Sequence, residues 1–113
     1  MSPRDPAYIL DVLEAAKLVA SFIQGMDRAS FQTDIKTQSA VMRQMEIMGE
    51  ATKRLSLQFR ESHDEAPWRR IAGTRDVLIH CYDDVLSDTV WLIATEDIPA
   101  LIPILERLLR EAE

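Results

Sequence analysis

Residues 67–82, PWRRIAGTRDVLIHCY, decide how the chain is organised. Their apolar members recur at helical spacing, and the proline at the start is typical of a first helical turn. Arg75, Asp76 and His80 interrupt this apolar pattern, which is unfavourable in a core because buried charge must be paired or functional. We therefore interpret this stretch as the helix that carries the chemistry, and the rest of the chain as its scaffold.

The other segments also favour helices. Residues 5–25 and 37–60 carry apolar residues at intervals of three and four, and shorter patterns follow over 86–94 and from residue 97 onward. The seam of the second segment suits antiparallel packing and consists of Val41, Met45, Met48, Thr52, Leu55 and Phe59. No strand alternation, hairpin signal or repeat appears. The sequence predicts an all-α fold, an antiparallel bundle of four to five helices forming one domain over 1–113.

Several residues predict helix boundaries. Asp5 and Pro6 are typical of a first turn, with the carboxylate as the cap. Gly25 predicts the end of the first helix, and residues 26–35 are predicted to connect it to the second. Pro103 should bend the last helix or move its start to a later residue, because proline has no N–H to donate.

The helix over 67–82 is predicted to carry two adjoining rows. The first row consists of Trp68, Ala72, Arg75, Ile79 and Tyr82. Arg75 thus takes a position that a leucine would normally fill. The second row contains Gly73, Asp76 and His80. Gly73 destabilises a helix by about 1 kcal/mol relative to alanine, so its missing side chain predicts close approach by another backbone or by a ligand.

Composition limits the class of protein. With 47% apolar residues the chain is globular, and it shows neither a membrane-length apolar run nor a signal peptide, so we expect a cytoplasmic location. The single Cys81 cannot form an internal disulfide. His63 and His80 lack companions at ligand spacing, and no phosphate loop or serine nucleophile motif is present. We therefore expect no metal and no cofactor.

The formal charge of −6 argues at first against a nucleic-acid partner, but its distribution is uneven. Residues 53–75 carry six basic and three acidic groups, whereas residues 76–113 carry two basic and nine acidic groups. The basic segment leads directly into Arg75, Asp76 and His80, the polar residues of the 67–82 helix. A solvated helix face would equally explain any few of these charges.

Arg75 and His80 suffice for metal-free phosphoryl chemistry. An imidazole moves the proton of an attacking hydroxyl, and a guanidinium neutralises charge on the phosphate. Asp76 stands one turn before His80, where its carboxylate would hold one ring nitrogen. On one continuous helix Arg75 and His80 point about 140° apart and lie about 7.5 Å apart along the axis. Two copies of the helix about a two-fold axis would bring them together, which predicts a homodimer.

The chain resembles the HepT-like toxins of the HEPN superfamily, which are small helical proteins of bacteria and archaea. The resemblance rests on KTQSAVMRQMEIMGEATKRL (36–55), APWRRIAGTRDVLIHCY (66–82) and VWLIATEDIPAL (90–101). Its diagnostic element is an arginine, four residues, a histidine, one residue and a tyrosine, which Arg75, His80 and Tyr82 satisfy.

The resemblance implies a toxin of a type VII toxin–antitoxin system. Its activity would be that of a metal-independent endoribonuclease whose Arg–His site forms across a dimer cleft. Arg75, Asp76 and His80 would be the catalytic residues, although the family usually has asparagine where Asp76 stands. The implied partner is a minimal nucleotidyltransferase antitoxin that transfers AMP to the motif tyrosine, here Tyr82.

Two other interpretations remain open. Asp76 and the acidic C-terminal third favour a non-catalytic module that only docks the nucleotidyltransferase. Alternatively, Arg75 and Asp76 form a paired ion group in the interface of a helical dimer. From the residues alone, Tyr82 is an aromatic that closes the first row of its helix.

Overall fold

The computed structural model describes residues 2–80 and 83–112, without the side chains of residues 75, 79, 80 and 83–86. The helices are α1 (Asp5–Phe22), α2 (Arg28–Thr33), α3 (Ile35–Arg54), α4 (Leu57–Ser62), α5 (Trp68–His80), α6 (Asp83–Leu92) and α7 (Ile98–Glu111), and a π-helical turn (Ile93–Asp97) joins α6 to α7. These ranges contain no strand, so the predicted all-α fold class is confirmed. In the same ranges, no helix combines the length and the apolar character that crossing a bilayer requires.

Helix α3 lies at the centre of the packing, because α1 contacts it on one side and α5 on another, while α7 packs against α1. The predicted seam of α3 and its continuation is buried throughout. From α1 the buried apolar side chains come from Ile9, Val12, Leu13, Ala15, Ala16 and Val19, and from α7 they come from Ile98, Leu101, Leu105 and Leu108. Each set recurs at intervals of one to four residues on a single helix face, so amphipathic packing accounts for the bundle.

The segment predicted as one helix over 37–60 is interrupted at Leu55 and Ser56. Both residues have extended backbone, with ψ of 141° and 147°, and they separate α3 from α4. Ser56 then begins α4, because its Oγ accepts the Phe59 N–H at 3.2 Å. Leu55 and Phe59 remain buried despite the break. The apolar spacing alone therefore predicted the buried positions and missed the turn.

Asp5 explains why the chain turns at Ser56. Its carboxylate is fully buried and accepts the Ser56 N–H at 2.9 Å, the Ser56 hydroxyl at 2.7 Å and the Ser2 N–H at 2.9 Å. The prediction that Asp5 caps α1 is wrong, because the N-cap position is Arg4 and no side chain caps it. Pro6 does lie in the first turn. Asp5 therefore joins the start of α1 to the junction of α3 and α4.

The predicted connector over 26–35 contains a short helix of its own. Gly25 ends the turn after α1 with a positive φ of 79°, as glycine permits. Asp27 then caps α2 by accepting the Ser30 N–H at 2.8 Å, and Asp34 caps α3 by accepting the Thr37 N–H at 2.9 Å. These two caps allow a helix to form where the sequence signals were mixed.

The π-helical turn accommodates the prolines of the last helix. The Ile98 N–H donates to the Ile93 carbonyl five residues earlier, which is the π pattern. Pro99 then occupies the first turn of α7, where the missing N–H leaves no bond unmade. Pro103 lies inside α7, so the prediction that it moves the start of the helix later is wrong.

Replacing Asp5 by asparagine should lower the free energy of unfolding by about 2 kcal/mol near neutral pH, because an amide cannot accept all three hydrogen bonds. Burial alone would raise the pKa of the Asp5 carboxyl, but the hydrogen bonds from Ser56 and Ser2 hold it below its ordinary value of 3.8. Because the folded pKa is lower than the unfolded one, this stabilisation is complete above the unfolded pKa. It is lost as the pH falls through the folded pKa.

Urea unfolding of the wild type and of Asp5→Asn between neutral and strongly acidic pH measures both effects. The difference between the two proteins should narrow in acid. Asp11→Asn, at an exposed position of the same helix, is the matched control and should follow the wild type. An Asp5→Asn protein as stable as the control at neutral pH would contradict the role of this carboxylate.

Candidate active site

Helix α5 carries three of the four predicted site positions. It runs without interruption from Trp68 to His80, so Arg75, Asp76 and His80 belong to one helix. The spacing of about 7.5 Å along the axis and about 140° around it therefore applies to the backbone positions of Arg75 and His80. Their side chains lie outside the described residues, and so does the whole of Tyr82. The roles predicted for these three residues stay predictions.

Asp76 is exposed, and no other described side chain bonds to it. It stands four residues before His80 on the continuous helix, as the sequence predicted. The predicted bond between the carboxylate and the imidazole involves a side chain outside the described residues. Among the residues that are described, no three His, Cys, Asp or Glu side chains gather in a way that would hold a metal ion.

The face that α5 packs against α3 differs from the predicted first row. The buried residues are Trp68, Ile71 and Thr74, at 5, 7 and 8% exposure, and Leu78 packs partly against the same core. Ala72, predicted in this row, is only half-buried. Burial of Thr74 is possible because its hydroxyl donates to the Arg70 carbonyl at 3.2 Å. Trp68 is thus buried as predicted, whereas Ile71 and Thr74 are buried outside the predicted row. The side chains at positions 75 and 79 and the whole of Tyr82 lie outside the described residues.

The opposite face of α5 is open. At about 100° per residue, positions 69, 76 and 80 fall within about 40° of one another, on the far side from the buried row. Arg69 and Asp76 are both exposed. Gly73 lies beside this row, and a Cβ added there would meet no atom within 4 Å. The predicted close approach at Gly73 is therefore not made by any described part of this chain.

A groove continues from this face towards α4. It is lined by Arg60, Glu61, Asp64, Ala66, Pro67, Trp68, Arg69, Arg70 and Ala72. Trp68 lies at the base of the groove and is held in place by two contacts. Its indole N–H donates to the His63 carbonyl at 2.7 Å, and its ring packs against Phe59 with 6.0 Å between the ring centroids. The link between α4 and α5 is therefore tied to the core by a buried side chain.

The arginines around the groove differ in their partners. Arg70 forms an ion pair with Asp97 at 2.9 Å, which ties α5 to the π-helical turn. Arg60 has a buried Nε without a hydrogen-bond partner. Arg69 is exposed and forms no ion pair with any described residue. The groove therefore holds one guanidinium that is already neutralised and two that are not.

From the sequence, Arg69 was predicted only as part of the basic segment over 53–75. Its spacing of seven residues from Asp76 and eleven from His80 was a sufficient signal, since both intervals return to nearly the same side of a helix. Arg69 is therefore the residue that the motif-centred interpretation missed.

The comparisons with known proteins agree with the earlier resemblance. The model of the family described as ribonuclease HepT-like matches residues 12–108. A "Probable ribonuclease HepT" of Thermococcus cleftensis is 42% identical over 101 residues, which cover 89% of this chain and 92% of that protein. "Putative RNase MJ0127" of Methanocaldococcus jannaschii is 35% identical over 107 residues, covering 95% and 88%. "Putative RNase TTE0752" of Caldanaerobacter subterraneus is 36% identical over 94 residues, covering 83% and 84%.

The search of solved structures found no match. The family match spans most of α1 and all of α2 to α6, and it therefore includes the whole of α5. The predicted resemblance is confirmed, together with the enzyme class that the family carries in its description. The chain belongs to the HepT-like ribonuclease family.

Proposed function

We propose that this chain is a metal-independent endoribonuclease and the toxin of a type VII toxin–antitoxin system. The observation that carries the proposal is the unbroken helix α5, which bears Arg75, Asp76 and His80 in a member of a ribonuclease family. The names of the relatives support RNA as the substrate. His80 would move the proton, Arg75 would stabilise the phosphate, and Asp76 would orient the imidazole.

RNA supplies the attacking group that this residue set requires. Its 2′-hydroxyl lies beside the scissile phosphate, whereas DNA has no such group. His80 would take the proton of this hydroxyl as O2′ bonds to phosphorus. The bond from phosphorus to the 5′ oxygen breaks, and the leaving oxygen receives a proton from water. Arg75 would neutralise the charge that develops on the phosphate oxygens, so this step calls on no metal ion.

A dimer would solve the geometry of this site. On one helix the Arg75 and His80 positions are separated by about 140° and about 7.5 Å, so one chain has difficulty directing both at one phosphate. A two-fold axis beside α5 would bring Arg75 of one chain towards His80 of its partner. No described atom lies within 4 Å of a Cβ added at Gly73, and Asp76 is exposed, which supports room for a second α5.

Regulation would act at Tyr82. We propose that a minimal nucleotidyltransferase antitoxin transfers AMP from ATP to its hydroxyl, two residues beyond His80, with release of pyrophosphate. The added phosphate would carry negative charge into the region where Arg75 binds the RNA phosphate. It would therefore occupy the anion site and repel the substrate.

A non-catalytic docking partner of a nucleotidyltransferase is the second candidate. The exposed carboxylate of Asp76 favours it, because the family usually has a neutral asparagine there and the added charge repels phosphate. Tight binding of the transferase without any cleavage of RNA would support this candidate over the first.

The ribonuclease proposal predicts that Arg75→Ala and His80→Ala each abolish cleavage of RNA in the presence of a chelator. Co-expressing the two inactive chains should restore about a quarter of the wild-type activity. Random pairing gives half of the dimers mixed, and each mixed dimer rebuilds one of its two shared sites. Lys17→Gln, at an exposed position of α1, is the control for a changed surface charge and should cleave normally.

The outcomes separate the parts of this proposal. Cleavage that persists in either single variant would rule out the assigned roles. Two inactive variants whose mixture stays inactive would rule out the shared cleft while leaving the catalytic residues in place. A wild-type protein that cleaves no RNA would favour the docking module.

The regulatory proposal predicts that co-expression with the cognate nucleotidyltransferase adds AMP to the wild-type chain and abolishes its RNA cleavage. Intact-mass measurement detects the addition, and Tyr82→Phe should remain unmodified. Tyr8, half-buried in α1, provides the matched control, since Tyr8→Phe should still be modified. Addition of AMP to the Tyr82→Phe chain would show that another residue is the acceptor.

A further inference from the structure

The groove between α4 and the start of α5 is lined by residues that do not belong to the Arg75–His80 motif. We propose that it binds the RNA backbone a few nucleotides away from the scissile phosphate, with Arg69 as its principal cation. This inference rests on the ribonuclease function proposed above and assigns to it a second phosphate-binding subsite. Its residues lie outside the Arg75–His80 motif.

The register of α5 places Arg69, at the groove, in the same row as position 80 of the motif. Arg69 precedes Asp76 by seven residues and His80 by eleven, so the three positions follow one row along the helix. The distance from position 69 to position 80 is about 16 Å along the axis. At about 3.4 Å per stacked nucleotide, this distance spans up to about five nucleotides of a single strand. A strand lying along this row would reach both ends, although the exposed Asp76 carboxylate between them opposes its phosphates.

The pairing of charges identifies Arg69 rather than its neighbours. Arg70 is held by Asp97, and elsewhere Arg28 and Arg107 are held by carboxylates at 2.6 and 2.7 Å. Arg69 forms no ion pair among the described residues, and it is exposed. An exposed guanidinium without a partner binds phosphate without first losing an ion pair.

The other side chains of the groove modulate this attraction. Arg60 adds a second guanidinium, whose Nε is buried and has no hydrogen-bond partner. Glu61 and Asp64 line the same groove and oppose an anion. The attraction between the groove and RNA phosphate should therefore be modest, and removal of the Glu61 or Asp64 carboxylate should strengthen RNA binding.

The burial of Trp68 indicates which part of the RNA the groove contacts. Its ring is 95% buried, so it offers no face on which a base could stack. Its N–H is already donated to the His63 carbonyl, so it is not available to a base either. Contacts in the groove are then made to phosphate, which carries no sequence information. The subsite should bind single-stranded RNA without a preference for its sequence.

The test is the salt dependence of RNA binding, measured in a His80→Ala background so that no RNA is cut. The probe is a fluorescent single strand of about twelve nucleotides of mixed sequence, within the site sizes typical of single-strand binding. Arg69→Gln should weaken binding roughly threefold to tenfold near 0.1 M salt and reduce the slope of log K against log salt by about 0.7. Arg69→Lys should retain the slope, because it keeps the charge.

Two further variants make the result specific to the groove. Lys17→Gln removes the same charge from α1 and should leave the slope unchanged. Asp64→Asn should strengthen binding, which no loss of folding would imitate. Circular dichroism confirms that each variant is folded.

The failures of the two proposals are distinguishable. RNA binding that responds equally to Arg69→Gln and Lys17→Gln would overturn the subsite while cleavage by the wild type upholds the ribonuclease. A wild-type protein that neither binds nor cleaves RNA would overturn both.

Discussion

The buried carboxylate of Asp5 is the polar contact that fixes the first helix to the junction of the third and fourth helices. It accepts three hydrogen bonds, two of them from Ser56, and so fixes the start of α1 against the end of α3. The break that it stabilises turns the chain into α4. The link after α4, secured by Trp68, then sets where α5 begins on α3. The Asp5 and Trp68 hydrogen bonds thus lie on either side of α4, in the part of the chain that leads to the helix with the candidate site.

Local apolar spacing predicted much of this fold. Val41, Met45 and Met48 are buried as the seam required, and the all-α class follows from such patterns alone. The break at Ser56 was not predictable from spacing, because its stabilising partner lies 51 residues away in the sequence. Burial of Thr74 on α5 was not predictable from apolar spacing either, because its hydroxyl is satisfied within the helix.

Part of the candidate site was also predictable from the sequence, and part of it was not. The sequence predicted a helix that bears Arg75, Asp76 and His80, and α5 is continuous through all three. It did not single out Arg69, because motif spacing directs attention to the residues that perform chemistry and not to those that hold a long substrate. Which guanidinium is free depends on tertiary ion pairs such as Arg70 with Asp97, and no sequence pattern encodes these.

The π-helical turn over Ile93–Asp97 has a consequence for the last third of the chain. A π turn contains one more residue than an α turn, so it rotates everything that follows by about 100° around the common axis. Helix α6 contacts α2, whereas α7 contacts α1. The extra residue lets two helices that follow one another without a loop contact different neighbours. A one-residue deletion there would turn the apolar side of α7 away from α1 and leave α6 where it is.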